Sequence, residues 1–322
     1  MSFYSAIYGL QIHLNESVPG LLLQREPSQA VDIEIQFGNM PASFQDEQAT
    51  RELWYENPEL GAGGKPRLVV WSFADHFHFQ YADGTEFLID SGGSRIWATW
   101  PGDTLTVEDT ATYLLGPVMG FVLLLRGFIS LHACAVVIGD AAVAIVGPAG
   151  SGKSTTAAAF AERGYRILAE DVVTLRDRGA EFLVQPGYPS IRLWPASVEV
   201  LYGTASALPK LTPTWDKCYL DLTQEKYQFQ HEPLPLAAIY LLSERRDDEA
   251  VPFVEELTPA EGLMSLIANT YATYLMNKEM RAREFALLQR VLTSVPLKRV
   301  TPHSDAARID ELCQTILASL QR

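Results

Sequence analysis

Residues 141–164, AAVAIVGPAGSGKSTTAAAFAERG, constrain the fold of this chain more than any other stretch. The apolar run AAVAIV has the length of one buried strand. Glycines at 147, 150 and 152 follow it directly, and an alanine-rich run of high helix propensity comes next. Strand, glycine loop and helix in this order form the setting that the pattern G-x-x-x-x-G-K-[S/T] requires, and residues 147–154, GPAGSGKS, satisfy it. A glycine-rich main chain can close its N–H groups around an anion, and the first turn of a helix adds a partial positive charge. The cradle is expected to comprise Gly147, Pro148, Ala149, Gly150, Ser151 and Gly152. Lys153 would neutralise phosphate oxygens, Ser154 would ligate Mg²⁺, and Thr155 would complete the first helical turn.

The helix is expected to end at Gly164, and YRILAED then reads as a strand that closes on two adjacent acids, Glu170 and Asp171. In a right-handed βαβ unit the two strands run parallel, so the acids arrive at the sheet edge that carries the glycine loop. Successive strand residues point to opposite faces. Both acids therefore reach one site only if the strand stops there and the chain turns. One acid on the metal and one on an acceptor hydroxyl is the economical assignment; a solvated strand-end acid is the plain alternative for either.

Composition removes several function classes. The 322 residues are 48% hydrophobic and carry 39 acids against 25 bases, a net charge of −14, which disfavours nucleic acid and anionic membranes as partners. Cys134, Cys218 and Cys313 are odd in number and widely spaced, so neither a disulfide framework nor a cysteine metal site is expected, and the setting is read as a reducing cytosol. The opening MSFYSAIYGLQIHLNESVPG lacks the basic, apolar and small-residue regions of an export signal. The apolar run 113–139 is interrupted by Pro117, Gly116, Gly120, Gly127 and Arg126, so it reads as a buried helix followed by strands rather than a membrane span.

Upstream, short runs such as RLVVWSFADHFHFQY and TEFLIDSG alternate apolar and polar residues about an Asp83-Gly84 turn. They predict a β-rich domain over 1–105, with residues 106–322 forming the second domain. Gly139-Asp140 predicts a hairpin between LHACAVV and AAVAIVG. Residues 57–67 read as a loop, LAAIYLLS as a buried strand, and the segment from Pro259 onward as helices, on which Arg281 and Arg283 fit either a substrate cleft or a solvated face. His76 and His78 share a strand face with no third ligand nearby in sequence, which is a strand signal rather than a metal signal.

The order LHACAVV, hairpin, GPAGSGKST, short helix ending RGY, then LAEDVV resembles the catalytic domain of the HPr kinase/phosphorylase family, over about residues 125–200. The opening FYSAIYGLQIHLNESVPGL further resembles the N-terminal segment of the HPr-kinase-like proteins associated with ribosomal and lasso peptides. The resemblance implies an α/β fold: a P-loop kinase domain of HPr-kinase/PEP-carboxykinase type with a small β-rich N-terminal domain. It implies Glu170 as the base that accepts the hydroxyl proton, Asp171 as the metal-side acid and His132 as the imidazole beside the base. Arg192 and Lys217 become candidates to contact the transferred group or the substrate, the alternative being cations lying over Trp194 or Trp215. The family's Asp-Asp is Glu-Asp here, its Glu-Ile-Arg is Ser190-Ile191-Arg192, and its C-terminal phosphorylase segment is not visible, so a reverse reaction is not expected.

Together these readings imply an ATP- and Mg²⁺-dependent kinase. It would transfer the γ-phosphoryl group to a hydroxyl, such as serine in a peptide, a protein or a small serine-like molecule, in the cytoplasm; homo-oligomerisation is left open. A nucleotide-binding regulator or scaffold with slow ATPase activity is the alternative from another class, since it needs the metal acid but not the base. A carboxykinase-like enzyme would need a further metal-ligand cluster that the sequence does not display.

Overall fold

The computed structural model describes residues 2–42, 44 and 50–321 as a mixed α/β chain with several sheets. It divides into two compact units, Met1–Gly127 with Ala272–Asn277, and Phe128–Tyr271 with Lys278–Arg322. The division falls after Gly127, not near residue 105, because the apolar helical segment packs with the first unit.

In the first unit β1 (Phe3–Ile7), β2 (Leu10–Leu14), β3 (Ile33–Phe37), β4 (Glu52–Glu56), β5 (Leu68–Phe73), β6 (His76–Tyr81), β7 (Glu86–Asp90) and β8 (Arg95–Thr99) form one sheet. Its order is β1-β2-β3-β8-β7-β6-β5-β4, with β3 parallel to both neighbours. Asp83-Gly84 makes the expected turn: Gly84 has φ 95° and Asp83 Oδ1 accepts from the Thr85 N–H. The helices α1 (Val107–Tyr113) and α2 (Met119–Leu125) are joined by a π-helical turn through Gly116 and Pro117. Thr106 and Asp109 form a capping box at the start of α1. The segment Val107–Leu125 is long and apolar enough to cross a membrane, but 78% of its most apolar stretch is buried within the protein. The two histidines of β6 are strand residues; His78 is buried with Nε2 3.0 Å from Glu86 Oε2. From later in the chain, Leu275 belongs to this unit by accepting a hydrogen bond from Trp54 Nε1 at 3.0 Å.

The second unit is built on β9 (Ile129–Ile138), β10 (Ala141–Val146), β11 (Ile167–Ala169), β12 (Val172–Asp177), β13 (Phe182–Val184), β16 (Leu234–Leu242), β17 (Phe253–Glu256) and β18 (Leu297–Thr301); β14 (Ser190–Leu193) pairs separately with β15 (Cys218–Asp221). The Gly139-Asp140 hairpin joins β9 to β10 as expected. The helices are α3 (Lys153–Glu162), α4 (Pro195–Tyr202), α5 (Pro259–Ala268), α6 (Lys278–Ser294) and α7 (Ile309–Leu320). Period-two alternation sorts the core into two faces. Cys134, Val136, Val143 and Ile145 pack with α3 and α7, whereas Ala133, Ala135, Ala142 and Ala144 pack with α5 and α6. Ala157, Ala158, Ala159 and Ala161 of α3 are buried. Their small side chains let this helix lie close to the sheet at no cost in helix propensity.

β10 and β11 both pair antiparallel with β9, so they run parallel to one another with β9 between them. The βαβ expectation holds for direction and not for adjacency. That intervening strand positions the site, because it carries His132 past the acids.

Candidate active site

The glycine loop has the backbone its residues require. Gly150 and Gly152 have φ 79° and 105°, where a side chain is strained, and a Cβ on Gly147 would stand 2.7 Å from Ser151 Oγ and 3.1 Å from the Leu242 carbonyl oxygen. Helix α3 begins at Lys153 directly after Gly152. The Lys153 ammonium is buried and donates to the Gly147 and Pro148 carbonyls at 2.7 and 3.1 Å. Burial lowers its pKa, against the pull of Cys134, Asp171 and Glu170. Thr155 Oγ1 donates to Ser197 Oγ at 2.9 Å and thereby ties the loop's helix to α4.

The two acids sit at a break between β11 and β12, as strand alternation demands if both are to face the loop. The Val172 N–H donates to the Glu170 carbonyl at 2.8 Å while Asp171 has φ 67°, which together make a γ-turn centred on Asp171. For a non-glycine residue that conformation costs about 1–2 kcal/mol. The cost is offset by the contacts it gives the carboxylates, which diverge at once.

Ser154 Oγ donates to Glu170 Oε1 at 2.7 Å, and the main-chain N–H of Arg192 donates to Glu170 Oε2 at 3.3 Å. Asp171 turns the other way, with Oδ1 3.4 Å from His132 Nε2 and Oδ2 accepting from the Tyr271 hydroxyl at 3.2 Å. His132 reaches it because β12 pairs Val172 with His132, and because His132 shares a strand face with Cys134, whose thiol donates to the Lys153 carbonyl. The sequence expectation placed the imidazole beside Glu170 and the metal beside Asp171. The distances put the imidazole beside Asp171 and the Ser154 hydroxyl beside Glu170.

Charge separates the acids further. Burial, reinforced by the charge of Asp171, pushes the Glu170 carboxyl above the usual range. Burial acts in the same sense on Asp171, but the His132 hydrogen bond and the Arg192 charge outweigh it and hold that carboxyl below the usual range. Arg192 is the half-buried counter-charge. Desolvation opposes its protonation, and Tyr188, Asp171 and Glu170 more than compensate. Its guanidinium carbon lies 5.4 Å from the centre of the Tyr188 ring. Lys217 also acts on both acids through its charge, while its ammonium lies 5.1 Å from the centre of the Trp194 ring, so the stacked cation and the site cation are the same residue. Ser190 is buried on β14, and among the described residues no group of three or more His, Cys, Asp or Glu is arranged to hold a metal.

Hydrogen bonds thus link Ser154, Glu170, Asp171, His132 and the Arg192 main chain, drawn from α3, the main sheet and the separate strand β14. Tyr271 was missed; it arrives 100 residues after its partner, in a segment without a motif.

The site is a glycine loop and helix start facing a pair of acids in a mixed α/β unit. No protein-family model matches the chain, and no curated protein matches it in sequence. Among solved structures it is similar to the Hpr(Ser) kinase/phosphatase from Coxiella burnetii, at 13% identity and a TM-score of 0.32, over 59% of this chain and 89% of that one. The similarity is distant, and no residue role rests on it.

Proposed function

We propose that the chain is an ATP- and Mg²⁺-dependent kinase with an HPr-kinase-like P-loop catalytic unit, and that it transfers the γ-phosphoryl group to a hydroxyl on a peptide, protein or small molecule. The observation that carries this reading is the divergence of the acid pair: Glu170 bonds the hydroxyl of Ser154 while Asp171 bonds the imidazole of His132. A nucleotide switch needs the first arrangement and has no evident use for the second.

The donor set suits Mg²⁺. Ser154 Oγ and Glu170 Oε1 are hard oxygens already within hydrogen-bond distance of one another, and Mg²⁺ is commonly held by one or two carboxylates with phosphate oxygens and water completing its shell. Bound there, it would neutralise charge on the phosphoryl oxygens. The other work falls to side chains. The loop N–H groups and Lys153 hold the phosphate chain, and Arg192 offsets the charge of the acids and of the transferred group. Asp171, oriented by His132 and Tyr271, accepts the proton of the attacking hydroxyl.

The pKa directions taken alone favour Glu170 as the base, since its carboxyl is the more basic. Its hydrogen bonds weigh more heavily. Both Glu170 oxygens are engaged by the loop serine and the Arg192 N–H, and a cation beside Ser154 would draw its pKa down. A largely dissociative transfer asks little of the base beyond position, which suits a carboxylate as weakly basic as Asp171.

Incubating the protein with Mg²⁺, γ-labelled ATP and hydroxyl-bearing peptides, scored by label transfer, tests the proposal. Tight nucleotide binding without transfer to any acceptor would favour the regulator. The three cysteines are buried and free, which suits the reducing cytosol where Mg·ATP is abundant.

A further inference from the structure

The loop has a second neighbour on the side away from the acids. β10, β16 and β18 run parallel, with Val146 opposite Leu241 and Leu242 opposite Val300, so their C-terminal ends emerge on one edge. In open α/β sheets ligands gather at that edge. The segments leaving β16 and β18 deliver Arg245, Pro302 and His303 to a solvent-open cleft, which Ser151, Thr155 and Thr156 line from the loop and α3, and Ile309 and Leu312 from α7. Neither Glu170 nor Asp171 lines it.

We propose that this cleft receives the nucleoside end of a nucleotide whose phosphates lie in the loop, with Arg245 as a second cation on the phosphate chain. The inference rests on the nucleotide reading of the loop and gives the ligand its direction: nucleoside toward Arg245 and His303, terminal phosphate toward Glu170 and Asp171. Three observations support it. A Cβ on Gly152 would stand 2.9 Å from Arg245 Nη2, so the guanidinium lies against the loop at a position that glycine keeps open. Arg245 is exposed and has no ion-pair partner among the described residues, whereas Arg308 on the same cleft is already paired with Glu311 and with the Val251 carbonyl. Pro302, Ile309 and Leu312 give the cleft an apolar wall suited to a flat base, and Asp305 offers a carboxylate to a sugar hydroxyl.

The test is calorimetric titration of the full chain, in Mg²⁺, with ATP, GTP and inorganic tripolyphosphate. Ala306→Trp fills the cleft from its surface turn. It should weaken the tighter nucleotide at least tenfold and leave tripolyphosphate unchanged, while Arg245→Ala should weaken all the ligands that the wild type binds. Retained tripolyphosphate binding also shows that the variant is folded. Should Ala306→Trp lose both kinds of ligand, Ile309→Ala decides, since it removes apolar wall without adding bulk: a nucleotide-selective loss supports the cleft, and unchanged nucleotide affinity overturns it. Wild-type binding of nucleotide and tripolyphosphate that Ala306→Trp does not alter overturns the cleft alone. A wild type that binds none of the three overturns the loop reading and the cleft with it.

Discussion

The hydroxyl of Ser154 donates to Glu170 across 2.7 Å, and this bond assigns the nearer acid to the loop. Asp171, next in sequence, is carried by a γ-turn to His132 instead. Adjacent carboxylates thereby acquire different neighbours and opposite shifts in proton affinity. Separation of this kind is how paired carboxylates come to hold distinct roles.

If Asp171 is the proton acceptor, Asp171→Asn keeps its shape and loses its basicity. Phosphoryl transfer should fall about 10²–10⁴-fold, the range for lost acid–base catalysis, with nucleotide affinity little changed. Single-turnover transfer from labelled ATP, at saturating nucleotide, checks this.

Lys153→Ala removes the loop's buried ammonium. Nucleotide affinity should drop by about 10²-fold or more and transfer should become undetectable, because the loop's own point charge is gone. Equal affinity for mutant and wild type in calorimetry would sink the loop assignment.

Glu170 yields a pH-dependent stability prediction. Its folded pKa lies above the unfolded value, so the stability it contributes is present below the unfolded carboxylate pKa, about 4.3, and is lost as pH rises through the folded pKa. At neutral pH the buried charge is a net cost. Glu170→Gln should therefore raise the Tm of the ligand-free protein near pH 7, and the difference should shrink toward pH 4. The Gln side chain can still pair with Ser154, whose hydroxyl can accept as readily as donate. A Tm difference that is absent at pH 7, or that grows on acidification, would contradict the raised pKa.

Gly147→Ala places a methyl group against Ser151 Oγ and the Leu242 carbonyl. Main chain cannot yield as a side-chain tip does, so the variant should lose about 1–3 kcal/mol of stability in urea denaturation and bind nucleotide more weakly.

Much of this was legible in the sequence because it is local. The strand, loop and helix at 141–164 follow from propensity and glycine placement, and the need for a chain break at Glu170-Asp171 follows from strand alternation alone. What escaped depends on contacts between distant segments. β9 lies between β10 and β11, and its register, Val172 opposite His132, gives the imidazole to Asp171 rather than Glu170. Tyr271 and Arg245 reach the site on segments with no motif of their own. The apolar segment after residue 106 was recognised as buried helix, but its amino acids do not say which core it serves, and it packs with the first unit.

The most direct measurement of the central claim is the Mg²⁺ dependence of ATP binding in the two acid variants, by calorimetry with and without the metal. If Glu170 and Ser154 share the cation, Mg²⁺ should tighten ATP binding in the wild type and in Asp171→Asn, and this enhancement should be lost in Glu170→Gln. Enhancement kept in Glu170→Gln and lost in Asp171→Asn would contradict the assignment and return the metal to Asp171 and the proton to Glu170.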